Sequence, residues 1–171
     1  MSCHRRVTEW TTIIRTHLPQ LSASQAPVLA LWSLGMVLAR SCALTAVTVF
    51  LAVWLRRKEQ TVRQQLRECC DEAEAKRGTQ RQALAVDPCF VPLLRWVLSG
   101  WPGTPRALAL DATTLGLRFT VLAISVVSRG CAMPVAWTIV AANQPHAWRR
   151  EWLRLLRQLR PAIPRPWTVI V

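Results

Sequence analysis

Twenty-nine consecutive residues, Pro27 to Leu55 (PVLALWSLGMVLARSCALTAVTVFLAVWL), carry a single charge, Arg40, and nothing else in the chain limits the fold so tightly. Crossing a bilayer takes about 20 predominantly apolar residues, and an arginine at the centre costs roughly 2.5–3.5 kcal/mol on insertion. Arg40 leaves about a dozen apolar residues on either side, too few for a span. The pattern predicts two short buried helices joined near Arg40-Ser41. The competing expectation is a membrane-associated protein that inserts 27–55 and keeps its arginines on the cytoplasmic side.

The flanks are amphipathic. Between Thr8 and Leu21, the residues Trp10, Ile13, Ile14, His17 and Leu18 recur at helical spacing until Pro19 interrupts them. From Arg56 to Arg81 the chain is polar and rich in strong helix formers, with Val62, Leu66, Cys69 or Cys70 and Ala73 as a narrow apolar stripe and Gly78 as a helix end. The succession ALTAVTVFLAVWL, RRK, EQTVRQQLREC has the layout of a helix-turn-helix: an apolar support helix, a short turn without the glycine common there, and a second helix with outward polar residues.

Charge narrows the choice of partner. Twenty-two basic residues face nine acidic ones, a net charge of +13 and a pI near 11.4. All the basic residues but Lys58 and Lys76 are arginine, whose planar fork suits phosphate oxygens and guanine edges. A polyanion is expected, and nucleic acid ahead of a membrane surface. The six cysteines show no CxxC and the three histidines lie far apart, so no zinc site can be read. MSCHRRVTEW lacks the apolar region of a secretory signal, which predicts a cytoplasmic protein with free, buried thiols.

A cluster of Pro and Gly between Gly78 and Pro105, around a short apolar helix from Phe90 to Leu98, marks a change of composition. Beyond it, ALALDATTL, RFTVLAISVVSRG and CAMPVAWTIVAA read as three adjacent antiparallel strands parted by Gly116 and by Arg129-Gly130. The period then becomes 3.6, with Trp148, Trp152, Leu155, Leu156 and Leu159 on one face and arginines largely on the others, until Pro161. Trp167 to Val171 reads as a buried strand reached through this helical crossover. The predicted organisation is therefore a helical region over 1–85, a linker with a short helix over 86–106 and an α/β region over 107–171.

One residue breaks the apolar pattern of the first strand: Asp111. A carboxylate inside an apolar strand is costly unless paired or bound to a cation. An ion pair with Arg118 or Arg129, a turn cap, and a metal-holding role all remain open for it. Glu151, in mid-helix, reads as a surface partner of Arg154 or Arg150.

LALDATTLG, FTVLAISVVSRGCAMPVAWTIV and HAWRREWLRLLRQLRP resemble the start of the catalytic domain of insertion-sequence DDE transposases, and the similarity extends to LALWSLGMVLARSCALTAVTVFLA and RKEQTVRQQLRE. The resemblance implies an N-terminal all-α, helix-turn-helix-like region followed by a β-β-β-α-β unit that opens an RNase H-like fold. It implies Asp111 as the first of three carboxylates holding two Mg²⁺ ions for phosphodiester cleavage and strand transfer. The other two carboxylates lie beyond Val171 in the family pattern, so the chain is expected to be an inactive fragment. The implied partner is double-stranded DNA at insertion-sequence ends, with self-association possible, no small-molecule substrate, and a membrane disfavoured. The expected DNA contacts are Arg56, Arg57, Lys58 and Arg63 at phosphates and Thr61, Gln64 and Arg67 at base edges, with Gln65 or Glu68 as further candidates. A non-catalytic regulator of transposition needs only this binding function.

Overall fold

The computed structural model describes residues 3–76, 82–100, 107–142, 148–163 and 168–170. They form a mixed architecture of helices and one sheet, divided into two compact units, Met1–Ala85 and Val86–Val171.

The first unit is helical: α1 (Cys3–His17), α2 (Gln25–Ala39), α3 (Leu44–Leu55) and α4 (Glu59–Glu68). The apolar segment does break where its one charge lies, and α2 and α3 meet at a bend of 97°. Arg40 adopts a left-handed conformation (φ 50°). Its N–H donates to Val37 O, and that of Ser41 donates to Met36 O, the pair of bonds that closes a helix C-terminus in a Schellman motif. Glycine usually fills that position because it has no Cβ penalty. α3 ends in the same way, with Arg56 at φ 54°, its N–H on Val53 O and that of Arg57 on Ala52 O.

Gly35 makes the close crossing of α2 and α3 possible. A Cβ there would stand 2.8 Å from Leu51 Cδ1 and 2.9 Å from Val47 Cγ1, inside ordinary contact distance. Around this crossing Leu31, Val47, Leu51, Ala52, Val62 and Leu66 form the core of the unit. α1 is tied to α2 by Trp10 Nε1, which donates to Ser33 Oγ at 2.8 Å. Among the described residues no single helix is long and apolar enough to cross a membrane, although α2 and α3 together, bent as they are, match one in length and composition.

α4 is shorter than its composition suggests. The helix ends at Glu68, where the N–H groups of Cys69 and Cys70 turn back to Leu66 O and Arg67 O three residues earlier. The expected stop at Gly78 lies outside the described residues. The thiols also depart from expectation: Cys69 is buried, whereas Cys42, Cys70 and Cys131 are exposed.

In the second unit α5 (Phe90–Ser99) precedes β1 (Ala107–Leu115), β2 (Phe119–Ser128) and β3 (Cys131–Ala141), followed by α6 (Trp148–Leu159) and β4 (Thr168–Ile170). The sheet order is β3-β2-β1-β4, antiparallel except that β4 runs parallel to β1, pairing at Ala107–Ala109. Arg129 and Gly130 both take positive φ, as the two-residue primed turn joining β2 to β3 requires. β3 lies at a sheet edge and tolerates Pro134, next to which Val135 forms a bulge opposite Ile124 and Ser125. Phe90 and Leu94 from α5, Leu155 and Leu159 from α6, and Leu108, Ile124, Val126, Val135 and Ala136 from the sheet make one core. The helix expected within a linker thus supplies two of the largest side chains in that core.

Candidate nucleic-acid interface and the Asp111 carboxylate

The geometry of α4 follows from its two buried anchors. Val62 and Leu66 are fully buried, one turn apart, which turns Gln60, Thr61, Gln64 and Arg67 outward as a single exposed stripe. Arg56, Arg57 and Lys58 are exposed at the N-terminal end of this helix, where the backbone N–H groups and the helix dipole also favour an anion. Arg57, Gln60, Thr61, Gln64, Gln65 and Glu68 line a concavity of about 610 Å³.

Several of these groups are already engaged. Arg57 Nη1 donates to Gln65 Oε1 at 3.0 Å, Gln64 Nε2 to Glu68 Oε1 at 2.7 Å, and Arg63 Nη2 to Glu59 Oε1 at 2.9 Å. Arg63 is the least accessible of the expected contacts, half-buried along the helix flank. Gln60 was not among the expected contacts, yet it lines the concavity and is exposed. Its position two residues before Val62 carries the signal, because a residue offset by half a turn from a buried anchor faces solvent.

Asp111 lies on β1, paired across to Ala123 on β2. It is exposed, so the desolvation expected of a carboxylate in an apolar strand does not arise: burial along β1 ends before Asp111. Neither Arg118 nor Arg129 pairs with it. Thr113 Oγ1 donates to Asp111 Oδ2 at 2.7 Å, and the Arg118 guanidinium lies over the Phe119 ring instead, 5.3 Å from its centroid. Among the described residues no group of three or more His, Cys, Asp or Glu side chains is placed to hold a metal ion. Magnesium takes several fixed oxygen ligands, so the described residues do not fit a two-metal centre.

Glu151 is occupied elsewhere. Arg154 bridges it and Asp87, with Nε on Glu151 Oε2 and Nη1 on Asp87 Oδ2, each at 2.8 Å. The hydrogen bond to Glu151, aided by the charge of Asp87, holds the Arg154 guanidinium above its ordinary value. Burial, reinforced by the adjacent thiol, pushes Cys69 up as well, and burial does the same for Cys70, so neither is primed as a nucleophile.

No protein-family model, curated protein or solved structure matches the chain.

Proposed function

We propose that the chain binds double-stranded DNA in the manner of an insertion-sequence transposase. In this reading α3, the Arg56–Lys58 turn and α4 act as a helix-turn-helix, and the second unit acts as the opening β-β-β-α-β of an RNase H-like core. The carrying observation is the seating of α4: anchored by Val62 and Leu66, it presents Gln60, Thr61, Gln64 and Arg67 on one face behind three exposed cations. Arg56, Arg57 and Lys58 would neutralise phosphates, which fixes register without sequence preference. Glutamine and threonine reach base edges, glutamine pairing bidentately with adenine. The sheet order β3-β2-β1-β4, with Asp111 on β1, supports the transposase side of the proposal. Magnesium held by Asp111 would require further carboxylates, so the activity proposed for these 171 residues is binding alone.

The test is duplex binding by the full chain, comparing any inverted repeats found in the DNA that flanks its coding sequence with a random duplex. Preference for the repeats is expected. Gln60→Ala with Gln64→Ala should erase it at a cost of about 1–3 kcal/mol of discrimination per lost base contact. Lys58→Gln should weaken both duplexes alike. Equal affinity for every duplex, unchanged by the glutamine replacements, would overturn the helix-turn-helix assignment.

A further inference from the structure

The strongest charged feature outside α4 lies on the second unit. From Val86 onward the chain has ten arginines, no lysine and three carboxylates, a net +7. Two of those carboxylates, Asp87 and Glu151, are both engaged by Arg154. Leu155 and Leu159 anchor α6 inward, which directs Arg150 and Arg157 away from the core, with Arg149, Leu153 and Arg160 beside them. Arg149, Arg150, Arg157 and Arg160 are all exposed, and none of their guanidinium groups makes an ion pair or hydrogen bond among the described residues. A solvated helix face ordinarily intersperses charges of both signs. This ridge carries one sign alone, and both nearby carboxylates, Asp87 and Glu151, are engaged by Arg154.

We infer that the outward ridge of α6 is a second DNA-backbone contact, in which Arg150 and Arg157, flanked by Arg149 and Arg160, hold phosphates of one strand. Two turns of helix part Arg150 from Arg157 by about 10.5 Å, and each long side chain is free to reach a separate phosphate. Arginine's fork takes two phosphate oxygens at once, and its rigid plane loses little freedom in doing so. The ridge is indifferent to base sequence and adds affinity where α4 adds selectivity. It shares its ligand with the proposed function, although it belongs to the other unit and calls on none of the α4 residues.

Two double variants of the full chain separate the claims: Arg150→Gln with Arg157→Gln on α6, and Arg57→Gln with Lys58→Gln at α4. Binding of a labelled random duplex is measured by anisotropy across a salt series. Each phosphate contact contributes about 0.9 to the slope of log affinity against log salt. The α6 variant should lower that slope by about 1.8, and Arg150→Lys with Arg157→Lys should restore it. An unchanged slope in the α6 variant, with a loss in the α4 variant, overturns the ridge and leaves the α4 reading intact. A loss confined to the α6 variant sustains the ridge and removes α4. The unaltered protein supplies an independent measurement: bound duplex should protect Arg150 and Arg157 from phenylglyoxal, read by mass spectrometry. Full modification of both in the presence of saturating duplex overturns the inference even if the variants fail to fold. So does retention on phosphatidylserine vesicles in preference to duplex.

Discussion

The helical unit displays α4, neutral in itself behind the basic Arg56–Lys58 turn, and the sheet unit displays the basic α6, each over a buried apolar face, and they commit their charges in opposite ways. On α4, Arg63 is tied to Glu59, Gln64 to Glu68 and Arg57 to Gln65. On α6 one arginine, Arg154, takes up both nearby carboxylates, and the guanidinium groups of the other three, with that of Arg160 just beyond the helix, have no partner among the described residues. The first unit has six acidic residues to spread among twelve basic ones, and the second has three for ten. Intrahelical pairs at i,i+4 hold side chains in defined directions at little energetic gain. An interface that must choose among base edges benefits from side chains held in place, whereas one that grips a uniform backbone needs only available charge.

The cores differ as well, and that difference can be broken by mutation. The sheet unit depends on α5 to cover its strands, and Phe90 is fully buried there, with its ring 5.0 Å from that of Trp137. Phe90→Ala should cost about 3–5 kcal/mol, the largest effect expected in the chain. Denaturant titration followed by tryptophan fluorescence would reveal it as a lowered midpoint. A cost under about 1 kcal/mol would show that α5 is a peripheral addition to the sheet.

In the helical unit the critical point is a residue without a side chain. Gly35→Ala places a methyl group 2.8 Å from Leu51 Cδ1, and relief requires α2 and α3 to separate or Leu51 to leave its rotamer. The expected destabilisation is about 1–3 kcal/mol. If Leu51→Ala in the same chain recovers part of this loss, the clash is local; no recovery would place the strain in the backbone crossing. Gly130→Ala sharpens the contrast from the other side. At φ 78° nothing lies within 4 Å of the added Cβ, so its cost, about 1–2 kcal/mol, is conformational alone. The same chemical change thus tests packing in one unit and backbone strain in the other.

What the sequence made legible follows the same division. Arg40 in an apolar run, Gly116, and Arg129-Gly130 are abrupt signals, and the helix break and the hairpins fall at them. The end of α4 is marked by no glycine or proline: Cys69 or Cys70 and Ala73 continue the apolar stripe in the sequence, yet the helix ends at Glu68. Asp111 was visible as an anomaly, but not its exposure. A strand can lose its cover halfway along, and one-dimensional patterning does not reveal where the covering helix ends. Gln60 was readable from its offset to Val62, whereas the pairing of Arg57 with Gln65 depended on how the turn folds back.

Arg40 and Arg56 provide the smallest and most discriminating comparison, because they occupy the same left-handed helix-ending position, at φ 50° and 54°. Replacing either with glycine removes about 1–2 kcal/mol of conformational strain. Glycine's freedom in the unfolded chain offsets about 0.5–1 kcal/mol of that gain, leaving a net stabilisation near 0.5–1 kcal/mol for Arg40→Gly and Arg56→Gly alike. Their effects on DNA should differ. Arg56 stands in the turn ahead of α4, so Arg56→Gly should lower the salt slope of duplex binding by about 0.9 while raising the melting midpoint. Arg40→Gly should raise the midpoint and leave the slope alone. A protein that keeps a strained arginine where glycine would be more stable, and loses DNA affinity when the strain is relieved, retains that residue for its charge. Equal slopes in the two variants would mean that the Arg56 guanidinium points to solvent in the complex, and would move the phosphate contacts of this turn to Arg57 and Lys58.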